Sequence, residues 1–132
     1  MNFKGIPLAL AFVCLCIFCN LFMTSAAAKW LILAPIFVPM FCQLGFSPAL
    51  TQVAYRIGDS ASNPIAPINF FLPIILGIMN RYKKEEDPEF GLGTLISYML
   101  PYSVAIFVVF TIQLVVWMLL GLPLGPGASL YL

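Results

Sequence analysis

The sequence predicts an all-α integral membrane protein, and three observations carry that prediction. Hydrophobic residues fill 62% of the 132 positions and charged residues 8%, with a mean hydropathy of +1.04. Soluble domains run at about 45–50% apolar and about 25% charged residues, so the excess belongs in a bilayer. At about 20 residues per spanning helix, the chain has room for four or five membrane segments. The charges are also segregated: seven lie between Arg81 and Glu89, and none follows Glu89. Collagen-like, disulfide-scaffold and disordered classes are excluded by this composition. The absence of histidine excludes histidine triads, His-ligated metals and haem. No enzymatic chemistry and no nucleic-acid partner are expected.

The first element is a helical hairpin over residues 5–44. Pro7 suits the first turn of a helix, and the run to Thr24 has Asn20 as its only strongly polar member. A small, polar stretch follows at 24–29, ending in Lys29. The second apolar run, Trp30–Leu44, is interrupted by Pro35 and Pro39 and reaches only about 22 Å, short of a hydrocarbon core of about 30 Å. On this pattern two readings stay open: an ordinary two-span hairpin with its tip in water, and a re-entrant hairpin whose tip turns back inside the membrane. Lys4, the apolar run Ile6–Phe22 and Ala26-Ala27-Ala28 also fit a cleavable signal peptide, whose removal would still leave a polytopic membrane protein. Cys14, Cys16, Cys19 and Cys42 read as small hydrophobes rather than as metal ligands.

The second element, 47–80, is a discontinuous transmembrane helix. Ser47-Pro48 marks its start, and Ala49–Ile57 is its first helical part. The stretch 58–67 then brings Gly58, Asp59, Ser60, Ser62, Asn63, Pro64 and Pro67 into the middle of a membrane passage. Two prolines remove two N–H donors and disfavour helix at the residues before them. Irregular backbone at membrane depth persists only where it is buried in protein or lines a cavity. An apolar run, Ile68–Met79, completes the crossing.

The charged loop 81–93 follows, and its cluster of Arg81, Lys83 and Lys84 places it in the cytoplasm by the positive-inside rule. The last element is a full transmembrane helix over 94–120, whose stripe of Thr94, Ser97, Tyr98, Pro101, Tyr102 and Ala105 is expected to face other helices. Trp117 is expected near the far interface. Gly121-Leu-Pro-Leu-Gly-Pro-Gly127 cannot continue a helix and opens the tail 121–132, which lies outside by the same rule.

Ionisable groups at membrane depth cost at least a few kcal/mol each, so Lys29, Arg56 and Asp59 need an account. Arg56 and Asp59 are three apart and share a helix face. As a purely structural pair they would only let the segment sit in lipid. As a site, Asp59 with the oxygens of Ser60, Ser62 and Asn63 forms a hard-oxygen environment for Na⁺ or a proton. Transporters build such sites from discontinuous helices, and Arg56 can hold an anion by paired hydrogen bonds. Ser25 and Lys29 of the hairpin tip are placed to approach; Lys29 read alone fits equally an end-of-helix lysine reaching the interface.

The runs Asn-Leu-Phe (20–22), Ala-Lys-Trp (28–30), Ala-Pro-Ile-Phe-Val-Pro-Met (34–40), Leu-Gly-x-Ser-Pro (44–48), Tyr-Arg-Ile-Gly-Asp-Ser (55–60), Gly-Thr-Leu-Ile-Ser (93–97) and Gly-Leu-Pro-Leu-Gly-Pro-Gly (121–127) resemble the C-terminal part of the p-aminobenzoyl-glutamate transporter (AbgT) family. The resemblance covers nearly the whole chain. It implies a re-entrant hairpin, a broken helix and a final spanning helix, the C-terminal half of an inverted-repeat secondary transporter that works as a homodimer in the inner (plasma) membrane. It matches Arg56 and Asp59 to the family's functional Arg and Asp, Pro48 and Pro67 to its structurally important prolines, and Asn63 to its Asn after the Gly-Asp-Ser turn. The implied site divides into substrate-binding Arg56, Ser25, Lys29, Asn63 and Pro67, and coupling residues Asp59, Ser60 and Ser62, with Asp59 a Na⁺ candidate. Pro48 and Pro64 are structural. No cofactor is implied beyond Na⁺ or H⁺ as coupling ion.

The implied function is cation-coupled transport of p-aminobenzoyl-glutamate, with proton-coupled sulfonamide efflux as the family's other activity. A structural subunit or inactive remnant is the reading from a different class. Two departures from the family pattern stand out. Ala27 replaces the second Ser of a Ser-x-Ser-Ala-Lys-Trp tip, and Pro64 is an extra proline. The missing N-terminal half is implied to be needed for activity.

Overall fold

A computed structural model describes residues 5–23 and 25–131. Among these residues the only regular elements are helical: α1 (Gly5–Phe22), α2 (Ala26–Gln43), α3 (Pro48–Ser62), a short 3₁₀ turn at Asn63–Ile65, α4 (Leu72–Arg81) and α5 (Leu92–Leu120). Three of them, α1, α2 and α5, are long and apolar enough to cross a membrane. Lys4, Thr24 and Leu132, expected in a leader, the hairpin tip and the tail, lie outside the described residues.

α1 is apolar all round, yet one stripe is buried: Gly5, Ala9, Phe12, Val13, Cys16 and Asn20. This stripe packs along α3, and the two helices run parallel, from Gly5 beside Phe46 to Asn20 beside Ser62. The approach is close because Gly58 offers no side chain. A Cβ there would lie 2.6 Å from Cys16 Cβ and 2.8 Å from the Val13 carbonyl. Small residues at helix contacts give membrane helices the dispersion contacts that a hydrophobic driving force supplies in water.

α2 returns antiparallel and meets α1 through aromatic rings, Phe12 lying 4.5 Å from Phe37 and 5.7 Å from Phe41 between centroids. The expected interruption at Pro35 and Pro39 does not occur, and the helix passes through both. It also takes in Ala26–Lys29, expected as tip, because Ser25 caps it by accepting a hydrogen bond from the Ala28 N–H at 3.4 Å. Gly45, at φ 83°, turns the chain from α2 into α3, a left-handed conformation that a side chain would strain.

Pro48 sits in the first turn of α3, as expected. The break falls later than the sequence suggested. Gly58 to Ser62 remain helical, and the irregular stretch runs from Asn63 to Phe71. Helix persists because Asp59 to Ser62 lack a proline; Pro64 acts first, inside the 3₁₀ turn, and Pro67 follows.

α5 lies antiparallel to α3 and the 3₁₀ turn. Its buried face is Leu95, Ser103, Leu114 and Met118. The expected polar stripe is instead exposed in this chain: Tyr98 and Tyr102 are 59% and 67% accessible. It points away because the α3 contact is made by Ser103, whose hydroxyl donates to the Ala61 carbonyl. Between α4 and α5, Asn80 closes the charged loop by bonding both the N–H and the carbonyl of Phe90, at 2.8 and 3.1 Å.

The described residues after α5, 121–131, fold back onto the bundle. Gly121, at φ 64°, ends the helix. A turn through Gly125 and Ala128 then lays 129–131 against the α2–α3 connection. Ser47 N–H donates to the Leu130 carbonyl at 3.0 Å, Ser47 Oγ donates to the Ser129 carbonyl at 2.6 Å, and the Phe46 and Tyr131 rings lie 5.5 Å apart.

Candidate functional site

The end of α1, the start of α2 and the last turn of α3 converge on a buried polar cluster. Asn20, the lone strongly polar residue of α1, falls on the buried stripe and is fully inaccessible. Lys29 enters from the first turn of α2 and is 1% exposed. Its Nζ donates to Asp59 Oδ1 at 2.6 Å, the one ion pair among the described residues, and also to Asn20 Oδ1. Asn20 Nδ2 donates to Ser62 Oγ and to Asn63 Oδ1, both at 2.9 Å. Ser62 Oγ donates to the Gly58 carbonyl at 2.6 Å. Asn63 Nδ2 faces Asp59 Oδ2 at 3.5 Å.

Tyr55 walls the cluster. Its hydroxyl donates to the Ala26 carbonyl at 2.6 Å, and Lys29 Nζ lies 5.6 Å from its ring centroid. Trp30 packs on the same ring at 5.0 Å. An unpaired charge here would be costly. A pair supported by Asn20 and Asn63 is tolerated, and in a membrane protein such a pair is the default candidate for a functional site.

The expected Arg56–Asp59 pair does not form. Asp59 lies with Tyr55 and Ser62 on the side of α3 covered by α1 and α2, where Lys29 takes its carboxylate. Arg56 lies with Gln52 and Ser60 on an exposed stripe facing α5. Three-residue spacing is about 60° of rotation short of a full turn, enough to put the two on different sides of a tightly flanked helix. Lys29 likewise does not reach out to an interface.

Arg56 and Ser60 line a cleft of about 570 Å³ between α3 and α5, with Gln52, Gln113, Phe110 and Trp117. Trp117, expected near an interface, is part of this wall. The predicted residues therefore divide. Lys29, Asp59, Ser62 and Asn63 come together in the buried cluster, whereas Arg56 and Ser60 share the cleft. Ser25 serves as the exposed cap of α2, Pro67 is exposed beyond the 3₁₀ turn, and Pro64 is half-buried within it. Asn20, Tyr55 and Gln113 join these residues with no role predicted from the sequence. The signal for Asn20 was present, a lone amide in an apolar helix, and Tyr55 stands one helical turn before Asp59.

The oxygens of Asn20, Asp59, Ser62 and Asn63 are of the kind that hold Na⁺. With Lys29 Nζ on both Asn20 Oδ1 and Asp59 Oδ1, however, the cation position is taken by the ammonium. In this arrangement the residues do not fit a bound Na⁺. Among the described residues, no cluster of three or more acidic or thiol side chains is placed to hold a metal ion.

An apolar helical bundle with a charged pair buried where a hairpin meets a broken helix is an arrangement of the kind that membrane transporters use. The chain matches the model of the family described as "AbgT putative transporter family" over residues 1–132 and belongs to that family. It is 47% identical over 124 residues to the p-aminobenzoyl-glutamate transport protein of Escherichia coli (strain K12), covering 94% of this chain and 24% of that protein. It also superposes on the crystal structure of the Alcanivorax borkumensis YdaH transporter, described as having an unusual topology. That match has a TM-score of 0.86 and 47% identity, covering 92% of this chain and 25% of that one. The chain thus spans about a quarter of the length of these relatives.

Proposed function

We propose that this chain forms the hairpin and broken-helix portion of a cation-coupled secondary transporter for p-aminobenzoyl-glutamate or a closely similar aryl dicarboxylate. The observation that carries the reading is the buried Lys29–Asp59 pair held by Asn20, Ser62 and Asn63 where the hairpin meets the break. The family membership and the name of the E. coli relative supply the substrate class. The Arg56 cleft suits such a solute: a guanidinium for a carboxylate, the amides of Gln52 and Gln113, and the rings of Phe110 and Trp117 for an aryl group. Asp59 carries the coupling charge, with Ser62 and Asn63 beside it.

In this reading the hairpin is re-entrant. Its support is depth: Asn20 meets the chain beside Ala61, and Ala61 meets Ser103, only about 16 Å along α5 from Leu92. The tip thus stops well short of the α5 terminus that adjoins the charged loop. The 81–93 loop is cytoplasmic, the tail lies outside, and the protein resides in the inner membrane as a homodimer completed by a further portion of the transporter.

Flux in native-membrane vesicles tests this directly. Labelled p-aminobenzoyl-glutamate should move against its gradient when a Na⁺ or proton gradient is imposed, and Asp59→Asn should remove the gradient dependence. Gradient-driven flux that survives Asp59→Asn unchanged sinks the coupling role. Movement of a labelled sulfonamide, with none of p-aminobenzoyl-glutamate, transfers the reading to efflux.

A further inference from the structure

The cleft between α3 and α5 holds its polar and aromatic groups in a fixed order. We infer that Gln52 and Gln113 form a clamp for a secondary amide, so that the cleft selects solutes in which an amide joins an acidic end to an aryl ring. This rests on the reading of the cleft as the p-aminobenzoyl-glutamate site and names the group that the two glutamines recognise.

Register sets that order. Ser103 Oγ donates to the Ala61 carbonyl, and α5 runs antiparallel to α3 from that contact. Gln52 stands nine residues before Ala61 and Gln113 ten residues after Ser103, about 14 and about 15 Å along their helices. The two carboxamides therefore line the cleft at one level, from opposite walls. Arg56 is one turn nearer the contact, at about 8 Å, and Trp117 one turn farther, at about 21 Å. Along the cleft the order is guanidinium, amide pair, indole. Both glutamines are exposed. Among the described residues, the side-chain hydrogen bonds donated from α3 and α5 come from Tyr55, Ser62 and Ser103, and neither glutamine takes part in one. From Ala105 to Leu120, Gln113 is the only carboxamide or charged residue of α5. A strongly polar side chain in an apolar spanning helix faces a polar cavity or partner rather than lipid, and the cleft is that cavity.

A secondary amide is planar and trans, so its carbonyl and its N–H point in opposite directions. One carboxamide reaches only one of them. Carboxamides on facing walls reach both, one donating to the carbonyl and the other accepting from the N–H. p-Aminobenzoyl-glutamate carries its groups in the order the cleft offers: carboxylates, amide, aryl ring. With the amide between the glutamines, a carboxylate falls toward Arg56 and the ring toward Trp117. The cleft volume of about 570 Å³ is in the range that encloses a small organic solute. A site that hydrogen-bonds a substrate N–H rejects an analogue lacking it, because its own acceptor is left unpaired.

The test measures equilibrium binding, with no gradient imposed. In native-membrane vesicles, labelled p-aminobenzoyl-glutamate is displaced by the unlabelled compound and by its ester analogue, in which oxygen replaces the amide N–H. The unaltered protein should prefer the amide by on the order of tenfold, the worth of one hydrogen bond. The single variants Gln52→Met and Gln113→Met keep side-chain length and remove one carboxamide each, and their effects should split. One should abolish the preference by weakening the amide alone, because the acceptor for its N–H is gone. The other should weaken amide and ester alike and keep the preference, because both compounds share the carbonyl. Both positions are exposed, so the thermal midpoints of the variants in detergent should match that of the unaltered protein. A preference absent from the unaltered protein, or any other division between the variants, overturns the clamp while bound p-aminobenzoyl-glutamate upholds the substrate reading. No saturable binding of p-aminobenzoyl-glutamate to the unaltered protein rejects the substrate reading and the clamp with it.

Discussion

Asn20 is the residue on which the site's order depends. One amide accepts from Lys29 and donates to Ser62 and Asn63, so it joins α1, α2 and the end of α3 with no charge of its own. Asn20→Leu removes those bonds and leaves buried donors and acceptors unpaired, at about 1–3 kcal/mol for each stranded group. The loss should appear as a lowered midpoint of thermal unfolding in detergent. For the ion pair, a double-mutant cycle separates energy from function. Lys29→Met alone should cost about 3–5 kcal/mol by abandoning a buried carboxylate. Lys29→Met with Asp59→Leu should recover most of that stability while gradient-driven flux stays absent. Flux from the apolar double variant would show that the pair has no part in coupling.

At the scale of elements, sequence periodicity was most informative where lipid is the solvent and least where helices choose partners. The apolar runs located α1, α2 and α5, since a helix satisfies its own backbone groups in hydrocarbon. The partner of Asp59 was not legible, because Lys29 stands thirty positions away and Arg56 three. Local spacing favours Arg56, and only the packing of α2 across α3 reverses the choice. Gly58 was legible as a breaker and is in fact a contact. Gly58→Val should push α1 off α3 and cost about 1–3 kcal/mol or more from overpacking. Gly77→Ala, in α4 with open space where a Cβ would go, should be neutral or stabilising by up to about 1 kcal/mol. Thermal midpoints of the two variants, measured side by side, check the contrast; equal effects would mean that the α1–α3 approach is not close.

At the scale of the whole molecule, the tail is what holds one end together. Leu130 is 2% exposed and Ser47 bonds two tail carbonyls, so 121–131 acts as a clasp over the α2–α3 connection. The prolines and glycines of this segment read as a helix stop, which they are. Their docking was not legible because it joins residues 82 positions apart. Leu130→Ala should cost about 2–5 kcal/mol and expose the tail to protease before the helices unfold; a tail that stays protected in this variant would show that Leu130 is not its anchor.

The two prolines inside α2 carry a consequence for how this arm is wetted. Pro35 and Pro39 have no N–H, so the carbonyls of Leu31 and Pro35, one turn earlier, lose their partners in the helix. Both prolines and Leu31 lie on the exposed side of α2. Hydrocarbon has no donor to offer those oxygens, and leaving them dry is expensive. This arm of the hairpin is therefore a poor lipid-facing surface despite its apolar side chains. It requires water, or donors from another part of the assembly, at the turn between Leu31 and Pro35.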